Sequence, residues 1–318
     1  MACNTTQSPY KMESSNMYKH DNEIFEELGL RPIKQFTQGN VCESVYMVED
    51  VNSRLLVLKI GLDERSVAEI VMNVTGYERM RELGLSKYIP REYKKFISGK
   101  SAYSLMEYCG EDFLTKVRNV RDPLKEYKAL VIHLTEMYKL SIIDQGEKHS
   151  SFLKRVILSK ILSTYHQHIK PIFGVNDEIE LKLNDLSSIT ETFTGHSSCF
   201  SNWDMTPEDV YLTQDGLKYS DPLSDVLGIP IVDIGCFAGV ARDAYHLPGS
   251  DKGYEVLYQL SRELACMLKI DQYQAEQCFY FGRLLQSWLS ARHRLNKDLE
   301  SAERLFHQGI EHLSRIVA

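Results

Sequence analysis

FSNWDMTPEDVYLTQDGLKYSD, residues 200–221, breaks a long stretch of helical sequence. Its turn chemistry predicts a compact loop from Phe200, a short strand at Val210, Tyr211 and Leu212, an Asp215-Gly216 turn and a return strand from Leu217 to Ser220. Asp204, Asp209, Asp221 and Asp233 place four carboxylates within thirty residues of one another. Hard oxygen ligands suit Mg²⁺, which takes one or two carboxylates plus substrate phosphates, and a further carboxylate can orient a hydroxyl. The same residues also suit plainer duties, with Asp209 capping the strand entry and Asp221 opening a turn before Pro222.

Towards the N-terminus, the pattern from Asp21 to Tyr108 switches between short apolar runs and one amphipathic stretch, so this region is mixed α+β. Phe36 to Val48 alternates around Gly39-Asn40, and Leu55 to Ile60 is a dense apolar run bounded by Asn52-Ser53 and Gly61; together they predict a hairpin. Val67, Ile70, Val71, Val74 and Tyr77 recur at helical spacing up to Gly84, and strand character resumes at Tyr93–Ile97 and Ala102–Tyr108. Lys59 sits inside the apolar run, where an unpaired ammonium is costly. Glu78 and Glu69, on the following helix, are both candidate partners; a lysine snorkelling from a strand edge is the alternative.

Towards the C-terminus, helices dominate. Tyr127, Leu130, Val131, Leu134 and Tyr138 form one stripe, Phe152 to Tyr165 a second, and Leu285, Trp288 and Leu289 a third. These stripes read as core. No repeat or proline-rich tether is visible, so the boundary near residue 109 reads as a hinge.

Composition sets limits on function. A chain of 318 residues predicts about two domains of roughly 150 each. Its 43% apolar and 25% charged content excludes a collagen-like or wholly disordered chain. A net charge of −7 removes the basic footprint that nucleic-acid binding needs. The seven cysteines form no CxxC pair, which argues against a zinc site and for a reduced, cytoplasmic protein. No run approaches the ~18 apolar residues of a membrane span, and residues 1–20 lack a signal-peptide core and read as a flexible tail.

The ordered series over residues 30–240 resembles the protein-kinase-like fold, in its aminoglycoside phosphotransferase and choline kinase branch. That branch carries His-Gly-Asp-Leu-His-Pro-Gly-Asn, a hairpin ending in Ile-Asp-Trp, and Gly-x-Pro-x-x-Asp-Leu. Here stand Asn202-Trp203-Asp204-Met205-Thr206-Pro207-Glu208-Asp209, then Tyr219-Ser220-Asp221, then Gly228-Ile229-Pro230-Ile231-Val232-Asp233-Ile234. Asn202 replaces the family histidine, Trp203 the glycine and Asp209 the metal-binding asparagine, and Pro222 follows Asp221 where an aromatic is usual. The loop Thr37–Ser44 keeps a single glycine, Gly39.

The resemblance implies an α+β, two-lobed architecture. A small antiparallel-sheet N-lobe would span residues 21–108, and a large, mainly helical C-lobe residues 109–318, with a catalytic loop at 200–212 and a metal segment at 217–235. It implies a phosphotransferase using ATP and Mg²⁺. Asp204 would be the catalytic base, and Asp221 and Asp209 the metal ligands. Asp233 would support the loop from behind. Lys59 would grip the nucleotide phosphates with Glu78, beside Gly39 and Ser44. Met106, Glu107 and Cys109 would line the adenine site, although a plain buried strand at 105–109 has the same apolar residues.

No Ala-Pro-Glu segment follows Asp221, so a small-molecule hydroxyl acceptor is expected, with no nucleic-acid or membrane partner. The helices of 112–195 and those after Asp251 would wall the acceptor. The segment from Asp251 has nine acidic and nine basic residues, so no acidic tilt favours a polycationic antibiotic. Tyr254, Tyr258, Tyr273, Tyr280 and Trp288 suit either core packing or stacking on an acceptor. The departures motivate a rival reading, a catalytically silent nucleotide-binding scaffold; an atypical protein kinase is a third.

Overall fold

In the computed structural model, which describes residues 14–36, 44–144, 146–174, 176–224 and 227–318, the apolar run at 55–60 becomes the centre of a sheet. β1 (Arg31–Phe36), β2 (Ser44–Glu49), β3 (Leu55–Gly61), β4 (Glu92–Ile97) and β5 (Ala102–Glu107) pair antiparallel in the order β1-β2-β3-β5-β4. Because β3 has a neighbour on each edge, Leu56, Leu58 and Ile60 are shielded from water. β2 keeps the predicted alternation, with Tyr46 and Val48 inward. The Gly39-Asn40 turn lies outside the described residues.

α1 (Ser14–Leu28) starts inside the stretch expected as a tail. Its Phe25 meets Tyr46 edge to face at 5.0 Å. Asp21 on α1 accepts hydrogen bonds from Ser44 Oγ at 3.1 Å and Tyr46 Oη at 2.6 Å. α2 (Glu64–Glu82) follows β3 so closely that a Cβ on Gly61 would stand 2.7 Å from the Ser66 carbonyl carbon. The described residues up to Val74 form one compact unit with Arg91–Tyr108, and Thr75–Pro90 form a second with Cys109–Ala318.

In the second unit, aspartates start several of the helices. Asp112 caps α3 (Phe113–Asn119), and Asp122 with Pro123 opens α4 (Pro123–Leu140). The second predicted stripe forms α5 (His149–Phe152), α6 (Ser159–Thr164) and α7 (Lys170–Phe173), joined by π-helical turns Leu153–Leu158 and Tyr165–Ile169. α8 (Asp177–Glu191) completes this half. Next come β6 (Cys199–Phe200), the predicted hairpin β7 (Val210–Thr213) and β8 (Gly216–Tyr219), and β9 (Leu227–Gly228), which pairs with β6.

α9 (Pro230–Ala238) is buried along its whole length. It packs on α11 (Gln272–Arg294), which is flanked by α10 (Ser250–Leu268) and α12 (Leu299–Val317). Gly235 and Gly282 lie where α9 and α11 touch, and a Cβ on either would enter the other helix's backbone. The third stripe is core as expected: Leu285 and Trp288 are fully buried, and Trp288 stacks on Tyr165 at 5.2 Å. On the π-helical turn that follows α9, Gly239–Ala244, buried Asp243 pairs with Arg283 of α11 at 2.6 Å, with His312 Nε2 3.2 Å from the same carboxylate oxygen.

Candidate active site

The loop after β6 is held from beneath by Asp233, in the first turn of α9 and completely buried. Its carboxylate accepts from Ser201 Oγ at 2.8 Å, the Asn202 backbone N–H at 2.9 Å and the Trp203 N–H at 2.8 Å. Burial pushes the Asp233 carboxyl up to about 7, against these three bonds, which favour the ion. A buried aspartate with three donors fixes 201–203 to a helix that cannot shift without unpacking the core.

The residue after that anchor is Asp204. Its Oδ1 accepts from the side-chain amide of Gln286, and Cys236 Sγ donates to the neighbouring Trp203 carbonyl at 3.1 Å. Burial raises the Asp204 carboxyl to about 6, while the Gln286 bond and the Lys160 charge pull it down. A carboxyl in that range serves as a general base near neutral pH.

Trp203 itself has φ +36°, in the left-handed region that favours glycine, so its backbone is strained. Asn202 is also buried. Its amide nitrogen donates to Tyr219 Oη on β8, and its Oδ1 accepts the Leu223 N–H at 2.7 Å. Asn202 therefore ties the loop to the hairpin and to the segment past Asp221.

Asp209 turns the loop into β7. Its Oδ2 accepts from the Thr206 N–H at 2.9 Å and Thr206 Oγ1 at 2.8 Å. Burial first, and then the charge of Asp221, hold its carboxyl well above the usual range. Asp221, with φ +56°, donates its N–H to Tyr77 Oη at 3.2 Å. Among the described residues no group of three or more His, Cys, Asp or Glu side chains has a metal-site arrangement. Two half-buried carboxylates that repel each other still fit Mg²⁺, which needs few protein ligands and is completed by phosphate and water oxygens.

In the first unit, Lys59 is buried on β3, and its Nζ donates to Asn73 Oδ1 on α2 at 3.2 Å. Glu69 on that helix is half-buried, and Glu78 is exposed. Met106 is buried on β5; Glu107 accepts the Arg91 N–H at 3.0 Å on its side chain. Ser44 gives its hydroxyl to Asp21. Gly39 lies outside the described residues. Cys109 is half-buried and is followed by Gly110 at φ +89°.

Several contributors escaped the sequence reading: Gln286, Asn73, Tyr219 and Lys160. Gln286 alone left a signal, an amide between the core residues Leu285 and Trp288.

The antiparallel sheet, the mainly helical second unit and the anchored Asp204 loop define a protein-kinase-like fold. Among solved structures, the chain is similar to choline kinase from Streptococcus pneumoniae (TM-score 0.58, 12% identity, covering 94% of this chain and 99% of that one). It is also similar to an amicoumacin kinase in complex with AMP-PNP, Ca²⁺ and Ami (0.56, 12%, 95% and 96%). A third similar structure is an aminoglycoside phosphotransferase from Streptomyces rimosus in complex with ADP and streptomycin (0.52, 12%, 86% and 99%). No protein-family model matches the chain, and no curated protein matches it.

Proposed function

We propose that this protein transfers the γ-phosphate of ATP to a hydroxyl of a small molecule. The observation that carries the reading is Asp204, held by an Asp233-anchored loop beside Asp209 and Asp221, in a fold shared with kinases that act on small molecules. Phosphoryl transfer proceeds through a loose transition state, so positioning and charge supply most of the catalysis.

Asp204 accepts the proton of the acceptor hydroxyl as it attacks, and Gln286 holds the carboxylate in place. Asp221 and Asp209 hold Mg²⁺, which when bound neutralises charge on the transferring phosphoryl group. Lys59 binds nucleotide phosphate, oriented by Asn73. Glu78, or Glu69 on the same helix, shares that duty. Met106 and the backbone of Glu107 and Cys109 receive the adenine.

Asp209, standing where the family has a metal-binding asparagine, supports the second reading, a silent nucleotide-binding scaffold. The two separate in a Mg²⁺-dependent ATP turnover screen over amino alcohols, sugars, nucleosides and aminoglycosides. Transfer that disappears in Asp204→Asn supports a kinase, and nucleotide binding without transfer supports the scaffold. The dispersed cysteines of the sequence support a cytoplasmic setting, and among the described residues no helix is long and apolar enough to cross a membrane.

A further inference from the structure

In the second unit, a cavity of about 920 Å³ opens between the π-helical turn Gly239–Ala244, the start of α10, and helices α11 and α12. That volume suits a small organic molecule. Asp204, Asp209 and Asp221 do not line it, so the proposed chemistry leaves it without a use. Three of the side chains that do line it, Asp243, Arg283 and His312, are more than nine-tenths buried. Arg283 commits Nε and Nη2 to the Asp243 carboxylate, at 3.2 and 2.6 Å, and its Nη1 has no hydrogen-bond partner among the described residues.

Aromatic rings orient the cations. The Arg283 guanidinium lies 5.0 Å from the centre of the Tyr254 ring and 5.8 Å from that of Tyr280, and Arg242 stands 4.8 Å from Tyr254. A guanidinium whose face is held against a ring keeps its in-plane N–H edge for an oxyanion. Arg242 donates only Nε, to Asp251 at 3.0 Å, so both of its Nη groups stay available. Lys252 and Arg315 line the cavity, are exposed, and have no ion pair among the described residues. Of the three acids in the lining, Asp243 is held by Arg283 and Asp251 by Arg242, which leaves Glu311 unpaired. Four Arg and Lys against three Asp and Glu give the lining a net charge of +1, where the whole chain carries −7.

We infer that this cavity binds an organic phosphate or carboxylate, whose oxyanion is received by Arg283 Nη1 and the free edge of Arg242, with Lys252 and Arg315 adding positive charge around it. Such charge-assisted bonds to arginine are the strong ones. The inference does not rest on the phosphotransfer reading. The cavity nevertheless adjoins the platform of the candidate active site: Arg283 precedes Gln286 by one turn of α11, and a Cβ on Gly239 would stand 3.4 Å from Arg283 Cα and 3.6 Å from Gln286 Cβ.

The test measures binding to the full chain by calorimetry, at low salt and without nucleotide, with glucose 6-phosphate, citrate and uncharged glucose as probes. At least one of the two anions should bind about tenfold or more tighter than glucose, and which one does so tells phosphate from carboxylate. Arg242→Gln with Arg315→Gln should weaken that binding by about tenfold or more, while Lys59→Gln, which removes the proposed nucleotide-phosphate contact, leaves it unchanged. Glu311→Gln takes away the unpaired acid and should tighten binding by about twofold or more, a gain that damage to the fold would not produce. Glucose binding as tightly as the anions, no binding by either anion, binding that survives the double variant or disappears in Lys59→Gln, or no gain in Glu311→Gln overturns the inference.

Discussion

The side-chain amide of Gln286, near the middle of α11, donates to Oδ1 of Asp204. A residue 82 positions downstream thus sets the orientation of the proposed base. The bond fixes one carboxylate oxygen and leaves the other to meet a hydroxyl. Gln286→Leu should therefore lower kcat by about 10-fold or more, by letting the carboxylate rotate, with little change in nucleotide affinity. An equal loss in nucleotide affinity would show that Gln286 shapes more than the base.

The raised carboxyl of Asp204 sets a pH dependence. Turnover should climb as the group ionises with a midpoint near 6 and level off above it. Because Lys160 pulls this value down, Lys160→Gln should move the midpoint upward. A midpoint unchanged in the variant would place Lys160 out of range of Asp204.

The same shift has a stability consequence. In the unfolded chain an aspartate titrates at ~3.9, lower than in the folded site, so the contribution of Asp204 to stability is greatest below about pH 4 and is lost as pH rises through about 6. Asp204→Asn escapes that cost and should be more stable than the wild type at pH 8, by about 1–3 kcal/mol, with the gap closing below pH 4. Denaturant melts at the two pH values read it directly.

Much of the fold was legible because burial and periodicity coincide. LLVLKI at 55–60 read as a buried strand and is one, with a neighbour on each edge, and Asp215-Gly216 marked the β7–β8 hairpin. Asp204 and Asp233 were singled out through the family resemblance, and the N–H groups of Asn202 and Trp203 donate to Asp233. Gln286, Lys160 and Asn202's tie to Tyr219 were not, because each depends on which helix faces which loop, a long-range fact that local pattern does not encode. The Asp243–Arg283–His312 cluster escaped for the same reason, its members being spread over 69 residues of chain.

That cluster supports a further prediction. Arg283→Met leaves the Asp243 carboxylate buried without its guanidinium partner and should destabilise the protein by about 3–5 kcal/mol. Replacing Arg283 and Asp243 together by apolar residues should cost much less, since no uncompensated ion remains. Thermal denaturation of the single and double variants separates the two cases.

Gly282 gives a packing test of the site's platform. A Cβ there would collide with the Val232 carbonyl and the Cys236 N–H, forcing α9 from α11 and separating Asp233 from Gln286. Gly282→Ala should cost roughly 1–3 kcal/mol of stability and reduce turnover further than the lost stability explains. An alanine variant with wild-type stability and turnover would mean that the helices can part without moving the loop.

The account stands most directly on phosphate transfer by Asp204. The decisive measurement is Mg²⁺-dependent transfer from ATP to a pooled set of small hydroxyl compounds, with nucleotide affinity measured alongside, for the wild type and Asp204→Asn. The account predicts transfer by the wild type, a loss of at least about 100-fold in the variant, and nucleotide affinity nearly unchanged between them. Equal turnover in both proteins would contradict it.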